Sequence, residues 1–146
     1  MLRIGILAST KGTDMQAVID AINSKKLNAV ISVVISDKKD AYALERARKH
    51  SIKSVFIDAK GKDREQYDRE IAKDLDENKV ELILLIGYMK FLSPWFVNKY
   101  KNKIMNIHPS LLPSFPGLHV QRKAIEYGAK FSGCTVHFVD EGVDTG

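Results

Sequence analysis

The sequence predicts an α/β protein in which a mostly parallel sheet is covered by helices on both faces. Three observations carry this. Short apolar runs recur along the 146 residues, with amphipathic helical segments between them. The runs at 2–7 and 80–86 are nearly continuous rather than alternating, as in strands buried on both faces. Strands that alternate with helices imply right-handed crossovers between parallel neighbours. Length and composition agree: 45% apolar and 28% charged residues suit a globular chain long enough to bury a core. No linker, internal repeat or low-complexity stretch divides it, so 1–146 reads as a single domain.

In order, the first strand is Leu2 to Leu7, interrupted only by Arg3 and Gly5. Ala8 to Gly12 forms a turn, and Thr13-x-x-Gln16 has the spacing of a capping box, which starts a helix at Thr13. Met15, Val18, Ile19 and Ile22 give that helix one apolar face. A strand, a glycine turn and a helix N-terminus can hold an anion on free N–H groups, although one glycine is not a dinucleotide fingerprint. The second strand is Ala29 to Ile35. A polar turn follows, with Asp40 placed to cap a helix over 41–49. Ser54 to Ile57 is a short third strand. The helix over 63–77 packs Tyr67, Ile71 and Leu75, and carries Arg64 near its start, where the helix dipole disfavours a cation. Val80 to Ile86 is the most apolar stretch and the candidate central strand.

After it, Gly87 to Leu92 is a loop at a strand's carboxyl end, where open α/β sheets bind ligands. Met89, Phe91 and Leu92 suit a flat aromatic ligand or, equally, a cap on the core. This loop is expected to line a pocket with 106–117. Ser93 as N-cap and Pro94 at the first helical position start a short helix through Tyr100. A further helix is expected over His119 to Tyr127, ended by Gly128, then a strand from Phe131 to Val139. Within that strand Cys134 reads as a small buried hydrophobe and His137 as a satisfied structural histidine. The end, Asp140 to Gly146, is an acidic, glycine-rich turn.

Residues 104–117 carry the densest chemistry. Ile104 to Ile107 is a short strand, and the period of two places Asn106 and His108 on one side. An amide both donates and accepts, and histidine alone has an unperturbed pKa between pH 5 and 8. Pro109, Pro113 and Pro116 then stiffen the exit and remove backbone donors.

The net charge of +5 is spread over mixed-sign segments such as Lys62-Asp63-Arg64-Glu65, which favours solubility and mild attraction for anionic small molecules. No basic run interleaves with aromatics, so nucleic acid is not the expected partner. The single cysteine, Cys134, allows no internal disulfide and suits a reducing cytosol, so a cytoplasmic location is expected. No apolar run has membrane-spanning length and no His, Cys and carboxylate cluster has metal-ligand spacing; the chain enters its first strand without a basic n-region and cleavage site, so no signal peptide is expected. No membrane partner and no metal are expected.

Asn106-Ile-His108-Pro-Ser-Leu-Leu-Pro113, Pro116-Gly-Leu-His119 and Asp140-x-x-x-Asp144 together resemble phosphoribosylglycinamide formyltransferase. Gly87-Tyr-Met-Lys-Phe-Leu-Ser-Pro94 is similar to that family's Gly-Phe-Met-Arg-x-Leu-Ser loop. The resemblance runs in unbroken register from the first strand to Gly146. The Pro-Gly-Leu-His continuation favours the glycinamide enzyme over methionyl-tRNA formyltransferases, which usually carry Arg-Gly there. Deformylases usually replace His-Pro-Ser with His-His-Ser and add an N-terminal regulatory domain.

The resemblance implies a Rossmann-like, mostly parallel twisted sheet. It also implies transfer of the formyl group of 10-formyltetrahydrofolate, as co-substrate, to the amine of glycinamide ribonucleotide in de novo purine biosynthesis. On this expectation Asn106 and a protonated His108 stabilise the developing oxyanion, His108 moves the proton, and Asp144 supports the imidazole. The folate would lie against Met89, Lys90, Phe91 and Leu92 on one side and Asp140, Glu141, Gly142, Val143 and Asp144 on the other, with Asn106 at its reactive end. Arg64 would approach its glutamate tail. Gly12, Thr13 and Asp14 would hold the substrate phosphate. A monomer or homodimer is expected. Alternatives are a folate- or nucleotide-binding module with little catalysis, and a related folate-dependent formyltransferase or deformylase. Asp14 stands where many relatives have asparagine, and Lys90 keeps the charge of the usual arginine without its bidentate fork. The family's chain continues past the acidic turn into another strand and a long helix. The 146 residues are therefore expected to belong to something longer, and alone to bind poorly and turn over slowly.

Overall fold

The computed structural model describes residues 1–146. The elements run β1 (Leu2–Leu7), α1 (Thr13–Asn23), β2 (Ala29–Ser36), α2 (Tyr42–Lys49), β3 (Ser54–Phe56), α3 (Arg64–Glu77), β4 (Leu82–Leu85), α4 (Pro94–Lys99), β5 (Ile104–His108), α5 (Val120–Tyr127) and β6 (Thr135–Phe138). They build one six-stranded sheet in the order β3-β2-β1-β4-β5-β6. All pairings are parallel except β5 with β6, which is antiparallel. The order reverses between β1 and β4, so the crevice of this sheet opens at their carboxyl ends.

Alternation along the strands divides the core between two faces. Ile4, Ile6 and Ala29 pack with Met15 and Ile19 of α1 and with Ala43, Leu44 and Ala47 of α2. Leu7, Val33, Ile35, Ile83 and Ile104 pack with Tyr67, Ile71 and Leu75 of α3 and Phe96 of α4. The expected apolar stripes are therefore the buried ones, and β1 and β4 are covered on both sides.

The α1 helix begins at Thr13 as expected, but the residues that cap α1 and α2 differ from expectation. Thr13 is not the cap of α1; Gly12 is, in the left-handed region at φ 64, with no side-chain cap bond. Thr13 is thus already helical, and its hydroxyl cannot reach back as a capping box requires. Its expected partner Gln16 bonds instead to Asp20 and Arg46. Asp40 does not cap α2; Ala41 occupies that position without a side-chain bond. The true capping box is at α3, where Asp63 accepts from the Gln66 N–H and Gln66 Oε1 accepts from the Asp63 N–H. Ser93 and Pro94 start α4 as expected, with Ser93 Oγ accepting from Phe96 N–H at 3.2 Å. The last strand is shorter than expected. Residues 131–134 lie outside it, and Cys134 is exposed rather than buried.

Candidate active site

β5 sets the site. It places Asn106 opposite Leu85 of β4 and opposite His137 of β6, and pairs His108 with Thr135. Directly opposed residues share a face, so Asn106, His108, His137 and Thr135 stand on the same side of the sheet. His108 is almost wholly buried. Its Nε2 lies 2.8 Å from the Phe115 carbonyl, and its Nδ1 lies 3.5 Å from Asp144 Oδ2. A carbonyl only accepts, so Nε2 carries a proton. Both neighbours of the ring are therefore acceptors.

The loop after β5 is knitted to itself. Ser110 Oγ donates to Ser114 O at 2.6 Å, and Thr135 Oγ1 donates to Ser110 O while accepting from Leu112 N–H. Phe115 meets Tyr127 of α5 edge-on, with ring centroids 5.7 Å apart. The acidic turn is tied in through Asp144, whose Oδ2 also accepts from Gly117 N–H at 2.8 Å. Asp140 Oδ1 accepts from Gly142 N–H and Thr145 Oγ1, which folds residues 140–145 on themselves. Glu141 accepts from the Asn98 side chain of α4 at 3.0 Å.

His137 differs from expectation. Its Nδ1 is 3.1 Å from the Phe138 carbonyl, but its buried Nε2 has no hydrogen-bond partner and faces Asp144 Oδ1 at 4.0 Å. Asp144 thus stands between two imidazoles. The antiparallel pairing that brings this about joins residues 31 apart in sequence (106 and 137), which no local pattern reveals.

The loop after β4 forms a unit with α3. Arg64 Cζ lies 5.9 Å from the ring centroid of Phe91, and Lys90 Nζ lies 5.1 Å from that of Tyr67. Asp68 is buried and accepts from Ser93 N–H at 2.6 Å. Burial pushes its carboxyl up from the ordinary range, against the opposing pull of that hydrogen bond and of Arg64 and Lys90. Burial likewise pushes up the phenol of Tyr88, whose hydroxyl has no partner. Asp68 was missed in the sequence. Its signal was an acid four residues after Arg64 and three before Ile71, on the apolar stripe itself.

Thr13 and Asp14 are exposed at the start of α1, beside the buried Gly12. Two hollows of about 340 Å³ each lie elsewhere: one among Leu111, Ser114, Phe115, Tyr127, Ala129, Phe131 and Ser132, the other between α4 and residues 139–142. Neither is lined by both the 87–92 loop and the loop after β5, as the sequence led us to expect. No group of three His, Cys, Asp or Glu side chains is placed to hold a metal ion.

Fold and site together define an open α/β protein whose polar groups collect at the carboxyl ends of adjoining strands. The family described as formyl transferase matches residues 2–146. The chain belongs to that formyl transferase family. It is 42% identical to the phosphoribosylglycinamide formyltransferase of Escherichia coli strain K12, over 99% of this chain and 69% of that protein. It is 50% identical to the trifunctional purine biosynthetic protein adenosine-3 of Drosophila pseudoobscura pseudoobscura, over 99% of this chain but only 11% of that protein. The crystal structure of glycinamide ribonucleotide transformylase 1 from Symbiobacterium toebii superposes with a TM-score of 0.96 at 46% identity, over 100% of this chain and 69% of that one. The chain thus spans about a tenth of the trifunctional relative and about two thirds of the single-function ones.

Proposed function

We propose that this domain transfers the formyl group of 10-formyltetrahydrofolate to the amine of glycinamide ribonucleotide, a step of de novo purine biosynthesis. The observation that carries the reading is the buried imidazole of His108, 3.5 Å from Asp144 on the strand that also bears Asn106. The names of the E. coli and Symbiobacterium relatives support the same reaction.

In the proposed reaction the substrate amine attacks the formyl carbon, forming a new C–N bond and a tetrahedral intermediate. Negative charge collects on the former carbonyl oxygen. Preorganised donors stabilise such an oxyanion, and Asn106 and the Nε2–H of His108 fill that role. That proton rests on the Phe115 carbonyl in the free chain, and the oxyanion competes for it as a stronger acceptor. Collapse breaks the bond from the formyl carbon to N10, and the proton lost by the amine ends on N10, relayed by His108. Asp144 holds the imidazole and balances its charge.

Met89, Lys90, Phe91 and Leu92 would form one wall for the pterin, and residues 140–144 the other. Arg64, close to Phe91, would meet a carboxylate at the folate's tail. The backbone at Gly12, Thr13 and Asp14 would take the substrate phosphate. Asp14 must then turn its carboxylate away. No helix is long and apolar enough to cross a membrane; we place the reaction in the cytoplasm, in a monomer or homodimer.

The test is transfer from a formyl-folate analogue by the purified chain and its His108→Ala variant. Slow but measurable transfer by the unaltered chain, lost on that change, supports the enzyme. Folate binding without transfer in the unaltered chain would leave a binding module and overturn the reading.

A further inference from the structure

We propose that Asp37, acting through the hydroxyl of Ser9, is a positioning residue for the 87–92 loop. This deepens the formyl-transfer reading above and rests on it for the identity of the ligand at that loop.

The argument starts where β1 and β4 end. The last bonds between them are Ile86 N–H to Leu7 O at 2.9 Å and Ser9 N–H to Gly87 O at 3.1 Å. Gly87 then turns the chain away at φ 59, a conformation that L side chains rarely adopt. The space is closed as well, because a Cβ at Gly87 would collide with Thr10 Oγ1. The ladder stops, yet the loop beyond it is still tied to β1's end. Met89 N–H donates to Ser9 Oγ at 2.9 Å.

A serine hydroxyl has one proton to give, and its direction is free unless an acceptor fixes it. Asp37, just beyond β2, is that acceptor: Ser9 Oγ donates to its Oδ1 at 2.6 Å. A short bond from a hydroxyl to a carboxylate is charge-assisted, and it polarises the oxygen that receives Met89 N–H. The relay Met89 N–H to Ser9 Oγ–H to Asp37 therefore pins one loop from two others, across the reversal of strand order. Ser9 is buried, and both of its bonds are partly shielded from water.

What is pinned is unusual. Met89 and Phe91 are 63% and 65% exposed, although their loop is fixed at its backbone. Apolar side chains held out on a rigid backbone make a ready ligand wall, and rigidity in the free state saves ordering entropy on binding. Ser9 also lies three residues before Gly12, so the same clamp stands between the proposed phosphate turn and the proposed pterin wall.

The experiment compares Ser9→Ala, Asp37→Ala, Asp37→Asn and the Ser9→Ala/Asp37→Ala pair by Met89 amide exchange and by the kinetics of transfer. Loss of one hydrogen bond should accelerate Met89 exchange and raise KM for formyl folate about tenfold in Ser9→Ala, with kcat changed less than about threefold. Asp37→Ala should show the same split at about three- to fivefold, and Asp37→Asn, whose Oδ1 still accepts, should return to within about twofold of the parent. The pair should be no worse than Ser9→Ala alone, because the second change removes a group that already acts through the first. Additive effects, an Asn variant no better than Ala, or unaltered Met89 exchange in Asp37→Ala would overturn the proposal. If Ser9→Ala fails to fold, the Asp37 variants decide it. An unaltered chain that transfers no formyl group refutes the functional reading instead, and Met89 exchange then decides the relay alone.

Discussion

The sheet is finished differently on its two sides. Around β1 and β4 both faces are sealed, and Ile4 and Ile6 point into one core while Leu7 points into the other. Around β5 and β6 one face carries Asn106, His108 and His137, and the other shows Ile107, Val136 and Phe138, each more than 40% exposed. The difference shows where polar chemistry fits in such a fold. A strand buried on both sides would leave an amide and an imidazole without water or partners, which is costly. A strand next to the edge can turn polar groups to one side and meet a loop there. The price is that Asp144 hangs on one hydrogen bond from Gly117 N–H and a 3.5 Å contact with His108, rather than on core packing.

The largest expected effect is catalytic and lies on the edge side. His108→Ala should lower kcat for transfer by about 10²- to 10⁴-fold, the usual worth of a general acid or base. Folate-analogue affinity should move only a few-fold. Equal loss of binding and turnover would show that the histidine shapes the loop rather than the reaction. The sealed side answers to a different probe. Phe96 is fully buried between α4 and the sheet, so Phe96→Ala should cost about 3–5 kcal/mol in urea unfolding. On the bare face Val136→Ser should stay within about 0.5 kcal/mol. If the two cost the same, Val136 is covered in solution and the contrast between the sides fails.

Asp144→Asn separates the two duties of that residue. The amide oxygen can still accept from Gly117 N–H, so the unfolding midpoint should hold. The charge beside His108 is gone, so kcat should fall by about a hundredfold. An unfolding midpoint that drops with kcat would make Asp144 chiefly a strut for the turn.

How much of this could be read in the chain follows the distance over which each contact acts. Apolar runs mark β1 to β5 within a few residues, because burial of a strand writes itself locally. Ser93-Pro94 was legible for the same reason. The capping box was placed at Thr13 and found at Asp63, since a left-handed Gly12 already supplies the turn into α1. Cys134 was misplaced because nothing local marks where an edge strand starts. Asn106 and His108 stand out from the two-residue period of their strand, Asp144 only from a resemblance, and His108 and Asp144 lie 3.5 Å apart. His137 facing Asp144, and Ser9 joining Asp37 to Met89, were beyond reach. They depend on pairings set by the whole sheet, 80 residues apart in the case of Ser9 and Met89.

The smallest expected effect is a pH dependence on the sealed side. Burial raises the Asp68 carboxyl above its ordinary value, so the folded chain holds this proton more tightly than the unfolded chain does. Between the unfolded value, about 3.9, and the raised folded one, the folded state binds more protons, and stability falls as pH rises through that window. The contribution is fully present below about pH 3.9 and lost above the folded value. Asp68→Asn has no proton to lose, and its amide oxygen can still accept from Ser93 N–H. Its stability relative to the parent should therefore improve as pH rises from about 3.5 to 6.5, read from urea midpoints at each pH. A difference that runs the other way would mean that Arg64, Lys90 and the Ser93 N–H outweigh burial. The sealed side would then owe part of its stability to a charge.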